Sequence, residues 1–219
     1  MSNLILMRHA ESTLGKDDIY SGTMDVPLTS NGVEQAITTA KHLPEMQYDI
    51  VFTSNLIRSI QTALLHISYR QIDKSPICIS NHELDNYLDS KYLPILRLKE
   101  LNERNYGVLQ GISKKEAIAL YNEENLFIWR RSLQTAPPKG ESLLDIIDKL
   151  AGFYENQLLP LLKDNKNILI VAHQNSLRAL SYLIDPCNKE IEEVEFYNCT
   201  MCHYEYRNNG LSLINRYEI

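Results

Sequence analysis

Apolar residues in this chain fall into short unbroken runs separated by stretches of helical spacing. Leu4-Ile5-Leu6-Met7, Asp49-Ile50-Val51-Phe52 and Asn167-Ile168-Leu169-Ile170-Val171-Ala172 read as strands of a parallel sheet buried on both faces. Thr29 is placed to cap a helix whose Val33, Ala36, Ile37 and Ala40 should face the sheet. Leu56, Ile60, Ala63 and Leu64 mark one face of a second helix. Ser113-Lys114-Lys115-Glu116 is a capping box for another. A long amphipathic helix should open near Ser142, with Leu143, Ile146, Ile147, Leu150, Phe153, Tyr154, Leu158 and Leu161 on its core face. A further helix follows the last strand through Leu177, Leu180 and Ile184. Thr13 to Pro27 reads as a polar loop, and Ile95 to Leu101 alternates like a strand with one wet face. Ile67 to Leu93 carries the weakest pattern, with Cys78 in a short strand and Asn86 to Ser90 in a loop. Thr200–Tyr206 and Leu211–Tyr217 should pair as a hairpin through Asn208-Asn209-Gly210.

Chemistry gathers at the strand ends. The first run stops at Arg8-His9 and the last at His173, each followed by a polar turn. Ligands of open α/β sheets bind just beyond the carboxyl ends of the strands. An imidazole can act as a nucleophile, and a guanidinium is a fixed cation whose fork matches a phosphate. A lone histidine at a strand end is commonly structural, so the rest of the chain must supply partners. Arg58 falls in the first turn of its helix, unfavourable with the helix dipole unless it meets an anion. Lys114 sits at a helix N-terminus. A phosphoryl group in transfer needs fixed positive donors, which Arg8, Arg58 and His173 can provide around His9. Glu103 can handle the proton of a substrate hydroxyl.

Composition narrows the partners. The 219 residues predict one α/β domain, and 44% hydrophobic with 23% charged residues is ordinary for a globular chain. A net charge of −6 argues against nucleic acid or an anionic membrane as partner and leaves a small anionic substrate open. No secretory pattern and no membrane-spanning run is seen, so the expectation is a soluble cytoplasmic protein with reduced thiols. Cys199-Thr200-Met201-Cys202-His203 spells a haem-attachment pattern. Its flanks read as strand, which would splay the thiols onto opposite faces, and neither haem nor metal is expected.

The segments together resemble a known family. Arg8-His9-Ala10-Glu11-Ser12 is similar to the signature of the histidine phosphatase superfamily. Leu101-Asn102-Glu103-Arg104-Asn105-Tyr106-Gly107-Val108-Leu109-Gln110-Gly111 resembles the active-site segment of one branch, the 2,3-bisphosphoglycerate-dependent phosphoglycerate mutases. So do Ser21-Gly22, Thr53 to Arg58, Trp129-Arg130-Arg131 and Ala172 to Leu180. The resemblance implies a three-layer α/β/α sandwich with a mostly parallel central sheet, forming one catalytic domain over residues 1–219. It implies interconversion of 3- and 2-phosphoglycerate in glycolysis and gluconeogenesis, with 2,3-bisphosphoglycerate as priming phosphoryl donor and no metal. By the same resemblance His9 is the phosphorylated nucleophile and Glu103 the proton donor and acceptor. Arg8, Arg58 and His173 hold the transferring group, with Asn175 adding a donor. Arg104, Tyr106, Lys114, Arg130 and Arg131 grip the carboxylate and second phosphate. Gln174 joins the substrate set, and Ser12, Ser21 and Gly22 line the pocket. A homodimer is compatible with this reading.

The chain departs from the mutase pattern at several places. Ala10 and Gln174 stand where Gly is usual, Gly15 where Asn is, and Ile19 where Arg is. The link after Pro137-Pro138 is short, and Asn198-Cys199-Thr200 looks more like the phosphatase branch. Two alternatives therefore stand beside the mutase: a phosphatase using the same phosphohistidine, and a non-catalytic binding protein on this fold.

Overall fold

The computed structural model describes residues 1–43, 45–186 and 194–218. Seven strands form one sheet: β1 (Ser2–Arg8), β2 (Ile50–Ser54), β3 (Ser75–Ile79), β4 (Tyr92–Leu98), β5 (Ile168–Ala172), β6 (Met201–Arg207) and β7 (Gly210–Tyr217). Their order is β3-β4-β2-β5-β1-β6-β7. The first five strands run parallel, while β6 is antiparallel to both β1 and β7. The α-helices are α1 (Thr13–Lys16), α2 (Ser30–Thr39), α3 (Ile57–Ser68), α4 (Lys114–Tyr121), α5 (Glu123–Arg131), α6 (Leu143–Phe153), α7 (Leu159–Lys163) and α8 (Gln174–Ile184). No described helix is long and apolar enough to cross a membrane.

Alternate side chains of each central strand enter two cores. Leu4, Leu6, Ile50, Phe52, Ile168 and Ile170 pack with α6 and α8 on one face. Ile5, Met7, Val51, Leu169 and Val171 pack with Ala63 and Ile67 of α3 on the other. The result is the expected three-layer α/β/α arrangement on a mostly parallel sheet. Ser142 caps α6 through a reciprocal box with Asp145. The chain continues through a π-helical turn at Tyr154–Leu158 into α7, with the expected apolar face turned inward. Asn208 and Asn209 adopt φ of 50° and 63°, as a tight hairpin requires.

Four local expectations need correction. Thr29 does cap α2, accepting from the Gly32 amide at 2.9 Å. Yet Ala36 and Val33 pack with Ala10, Leu28, Cys199 and Leu65 of α3, so α2 lies on α3 rather than on the sheet. On α3, Leu64 is exposed and the buried face is Arg58, Ser59, Thr62, Ala63, His66 and Ile67. Strand β4 is an interior strand, buried from Leu93 to Leu96, because β2 and β3 flank it. The polar loop contains the short helix α1, and bridges tie Ser12 to Leu28 and Ile19 to Ser113. Ser113 caps α4 by accepting from the Glu116 amide. Cys199 sits in a turn at φ 60° and packs beside Ala36, while Cys202 lies in the opposite core. Burial pushes their thiols up to about 12 and about 11.

His66 anchors α3 to its surroundings. Its Nδ1 lies 2.7 Å from Thr39 Oγ1 and its Nε2 3.1 Å from Tyr48 Oη. Thr39 already donates to the Ala36 carbonyl, so the His66 proton sits on Nδ1 and Tyr48 donates to Nε2. A second proton on the ring would force Tyr48 from donor to acceptor, and burial lowers the pKa from 6.5 to about 3, with the Arg70 charge adding to the effect. The unfolded chain therefore binds a proton here that the folded chain refuses. Stability is full above pH 6.5 and falls as pH drops toward 3, by about 2 kcal/mol at pH 5. Urea unfolding across pH 8 to 5 should show this loss. His66→Gln, which can keep both hydrogen bonds without titrating, should make the pH dependence shallower by one proton. An unchanged slope would assign the acid sensitivity elsewhere.

Candidate active site

The sheet register brings the two histidines together. Arg8 pairs with Ala172 across the parallel β1–β5 ladder, so the residues that follow, His9 and His173, emerge side by side. The His9 amide donates to the Ala172 carbonyl at 3.0 Å, and the two rings lie 4.9 Å apart, tilted by 57°. His9 Nδ1 is 2.7 Å from the Ala10 carbonyl, which can only accept. The proton is thereby assigned to Nδ1, leaving the Nε2 lone pair for chemistry. Burial holds His9 well below the ordinary imidazole range, reinforced by the Arg58 and Arg8 charges. The turn after His9 is fixed by Thr62 Oγ1, which accepts from the Ala10 amide. The Ala10 methyl fills a small core with Leu28, Ala36 and Cys199, so this departure from glycine has a packing partner.

Strand β2 flanks β5 on the other side and places Ser54 Oγ 2.7 Å from His173 Nε2. With Ser54 donating, the His173 proton lies on Nδ1, a buried nitrogen with no partner among the described residues. Burial, with the Arg58, His9 and Arg8 neighbours, also pulls His173 well below its usual range. Arg58 is completely buried. Its Nη1 donates to the Met24 carbonyl at 2.7 Å and its Nη2 to that of Gly22 at 2.8 Å. Gly22 has φ of 48°, and a Cβ there would lie 2.3 Å from Gln110 Oε1. Glycine is needed at this point to carry the carbonyl that aims Arg58. Arg8 Nη1 donates to the Phe196 carbonyl at 2.5 Å. Arg8 Nε and Arg58 Nε are buried and have no partner among the described residues. Buried donors without acceptors are costly, and together with His173 Nδ1 they fit a phosphoryl group, which offers acceptor oxygens.

Glu103 is buried, and its Oε1 accepts from the Arg104 amide at 2.8 Å and from Asn175 Nδ2 at 3.0 Å and its amide at 3.3 Å. Asn175 Nδ2 also donates to Tyr106 Oη at 3.0 Å. Arg104 stacks on Tyr106, 4.8 Å from the ring centre, and donates to the Trp129 carbonyl.

A cavity of about 330 Å³ collects most of the expected residues: Arg8, His9, Ser12, Ser21, Arg58, Glu103, Tyr106, Lys114, Arg130 and Gln174 all line it. Gly15 and Ile19, two of the departures, line it as well. Lys114 is paired there with Asp18. A recess of about 40 Å³ adjoins it, sharing Tyr106, Arg130, Gln174 and Glu195 and adding Arg104, Arg131, Asn175 and Arg178. Gly22 and His173 line neither space; His173 is fully buried against the His9 ring. Arg131 does not face the cavity; its Nη2 is 2.6 Å from Glu195 Oε1.

Several residues here escape sequence reasoning. Arg178 follows Asn175 by three positions and shares its helix face, a spacing that could have found it. Ser54 ends an apolar strand as His9 and His173 do. Glu195 and Asn198 lie in an irregular stretch without periodicity, and Asn198 Nδ2 donates to the His9 carbonyl at 3.0 Å.

The chain is similar to known proteins in sequence and in fold. The 2,3-bisphosphoglycerate-dependent phosphoglycerate mutase of Protochlamydia amoebophila is 40% identical over 194 residues, covering 84% of this chain and 86% of its own. That of Chlamydia pneumoniae is 34% identical over 220 residues, 96% of each chain. Among solved structures, the alpha-ribazole phosphatase from Shigella flexneri superposes with a TM-score of 0.74 at 27% identity, over 97% of this chain and 94% of its own. Residues 4–76 and 83–218 match the family model for branch 1 of the histidine phosphatases, and with His9, His173 and their arginines at one sheet end, the chain belongs to the histidine phosphatase superfamily, branch 1.

Proposed function

We propose that this chain is a 2,3-bisphosphoglycerate-dependent phosphoglycerate mutase, interconverting 3- and 2-phosphoglycerate through a phosphohistidine at His9. The observation that carries the reading is the division of one site into two cationic ends. Around His9, Arg8, Arg58 and His173 offer donors for a transferring phosphoryl group. Beyond Tyr106, Arg104, Arg130 and Arg178 surround a recess suited to a second anion. A substrate carrying phosphate and carboxylate needs both ends. The relatives named as mutases support the same choice. Bound 2,3-bisphosphoglycerate would supply the priming phosphoryl group, held by these same side chains.

The residues divide the work by geometry. The Ala10 carbonyl orients the His9 ring, so its Nε2 lone pair attacks phosphorus. Arg8, Arg58 and His173 stabilise the charge spread over the oxygens in flight. Glu103, held through Oε1, accepts the proton of the substrate hydroxyl as that oxygen takes the phosphoryl group, and returns it in the reverse step.

A phosphatase is the second reading, favoured by the likeness to the Shigella phosphatase and by Asn198 on the His9 carbonyl. One assay separates them. The protein is supplied with 3-phosphoglycerate, with and without 2,3-bisphosphoglycerate, and both 2-phosphoglycerate and free phosphate are measured. The mutase should form the isomer much faster than phosphate, and only when primed. Ready hydrolysis of phosphomonoesters with no isomer would overturn the proposal.

A further inference from the structure

The strap Val194–Asn198 lines the site through Glu195 and Asn198, and side-chain hydrogen bonds hold it at Val194, Glu195, Phe196 and Asn198. Arg178 Nε donates to the Val194 carbonyl at 2.7 Å, Arg216 Nη2 to the Glu195 carbonyl, and Arg8 Nη1 to that of Phe196. Gln174 grips the Glu195-Phe196 pair twice: its Oε1 accepts from the Phe196 amide at 2.9 Å, and its Nε2 donates to Glu195 Oε2 at 2.7 Å. The other carboxylate oxygen, Oε1, meets Arg131 at 2.6 Å. The Glu195 carboxylate is therefore held from both sides. It lines both the cavity at His9 and the recess of arginines, where it is the only carboxylate among the described lining residues.

A carboxylate fixed there does what a ligand anion would do. It takes up positive charge that a second anionic group of the substrate would otherwise use, and it repels that group across the passage. We propose that Glu195, positioned by Gln174, is a specificity determinant: a built-in carboxylate that competes with the second anionic group of a phosphate ester for the recess arginines. It sets how strongly the site prefers two-anion over one-anion ligands. The inference rests on the reading that the substrate carries a second anion, but its test does not need turnover.

The test compares two ligands that differ in one group. 3-Phosphoglycerate carries a carboxylate where glycerol 3-phosphate carries a hydroxymethyl. Their affinities for the full chain are measured by calorimetry in the wild type, Glu195→Gln and Gln174→Ala. Glu195→Gln should tighten 3-phosphoglycerate about tenfold and glycerol 3-phosphate less than about threefold. Gln174→Ala, which frees the carboxylate without removing it, should move the ratio the same way by a smaller factor. A general loosening of the strap would shift both ligands alike. Equal shifts, or weaker 3-phosphoglycerate binding in both variants, would overturn the proposal. The mutase reading stands or falls separately on isomer formation by the wild type. A phosphatase whose ligand ratio moves keeps the determinant, and a mutase whose ratio stays fixed has none.

Discussion

His9→Ala is expected to abolish labelling by 2,3-bisphosphoglycerate and to cut turnover on the order of 10⁴–10⁶-fold, the scale seen when a covalent nucleophile is removed. The wild type should retain an acid-labile phosphoryl group after incubation. The Ala10 carbonyl fixes the ring proton on Nδ1, so the nucleophilic nitrogen is Nε2 in the resting protein. Burial and two guanidinium neighbours hold the ring neutral well below pH 6.5. The nucleophile thus needs no base to free its lone pair at neutral pH. Ring resonances of His9 in the ligand-free protein should stay in the neutral form from pH 8 to 5.5. A label that survives in His9→Ala would move the nucleophile elsewhere, and His173, with an unpaired ring nitrogen of its own, would be the first place to look.

His9 could be singled out from the sequence because one strand carries it. An apolar run that stops at a histidine locates the side chain at a sheet end without tertiary information, and the same holds for His173. Their adjacency needed only that β1 and β5 be neighbours in the sheet. Helix α3 is less legible. Periodicity places its apolar residues inward, yet Arg58, Thr62 and His66 are buried and Leu64 is exposed. Each of these side chains meets a partner distant in sequence: Gly22 and Met24 for the Arg58 Nη atoms, Ala10 for Thr62, Thr39 and Tyr48 for His66. Such pairings widen the buried face beyond its apolar residues and leave no local trace. Arg131 shows the same limit at the site. Its type and position announce an anion contact, but the anion it meets in this structure belongs to Glu195. Gln174 reads as a pocket residue, and its main engagement is with the same strap.

Glu103→Gln should lower turnover by about 10²–10⁴-fold with little change in ligand binding, the range for a lost general acid–base group. Glu103 is the buried carboxylate in the cavity; Asp18 is exposed and tied to Lys114, and Glu195 is tied to Arg131 and Gln174. Three N–H donors converge on Glu103 Oε1, two from Asn175 and one from the Arg104 backbone. No described residue donates to Oε2, so this oxygen can take a proton as the substrate hydroxyl attacks the phosphohistidine. Glutamine keeps size and shape but cannot accept and return that proton. If its amide oxygen takes the Oε1 position, the bonds from Asn175 and Arg104 survive and the binding surface is preserved. The step from 2,3-bisphosphoglycerate to labelled His9 tests the assignment more finely. In that direction the leaving oxygen must gain a proton, so labelling should slow together with turnover. A Glu103→Gln enzyme with near-normal turnover would transfer the proton role to another group. One that labels at the normal rate but fails to turn over would restrict Glu103 to the second half-reaction.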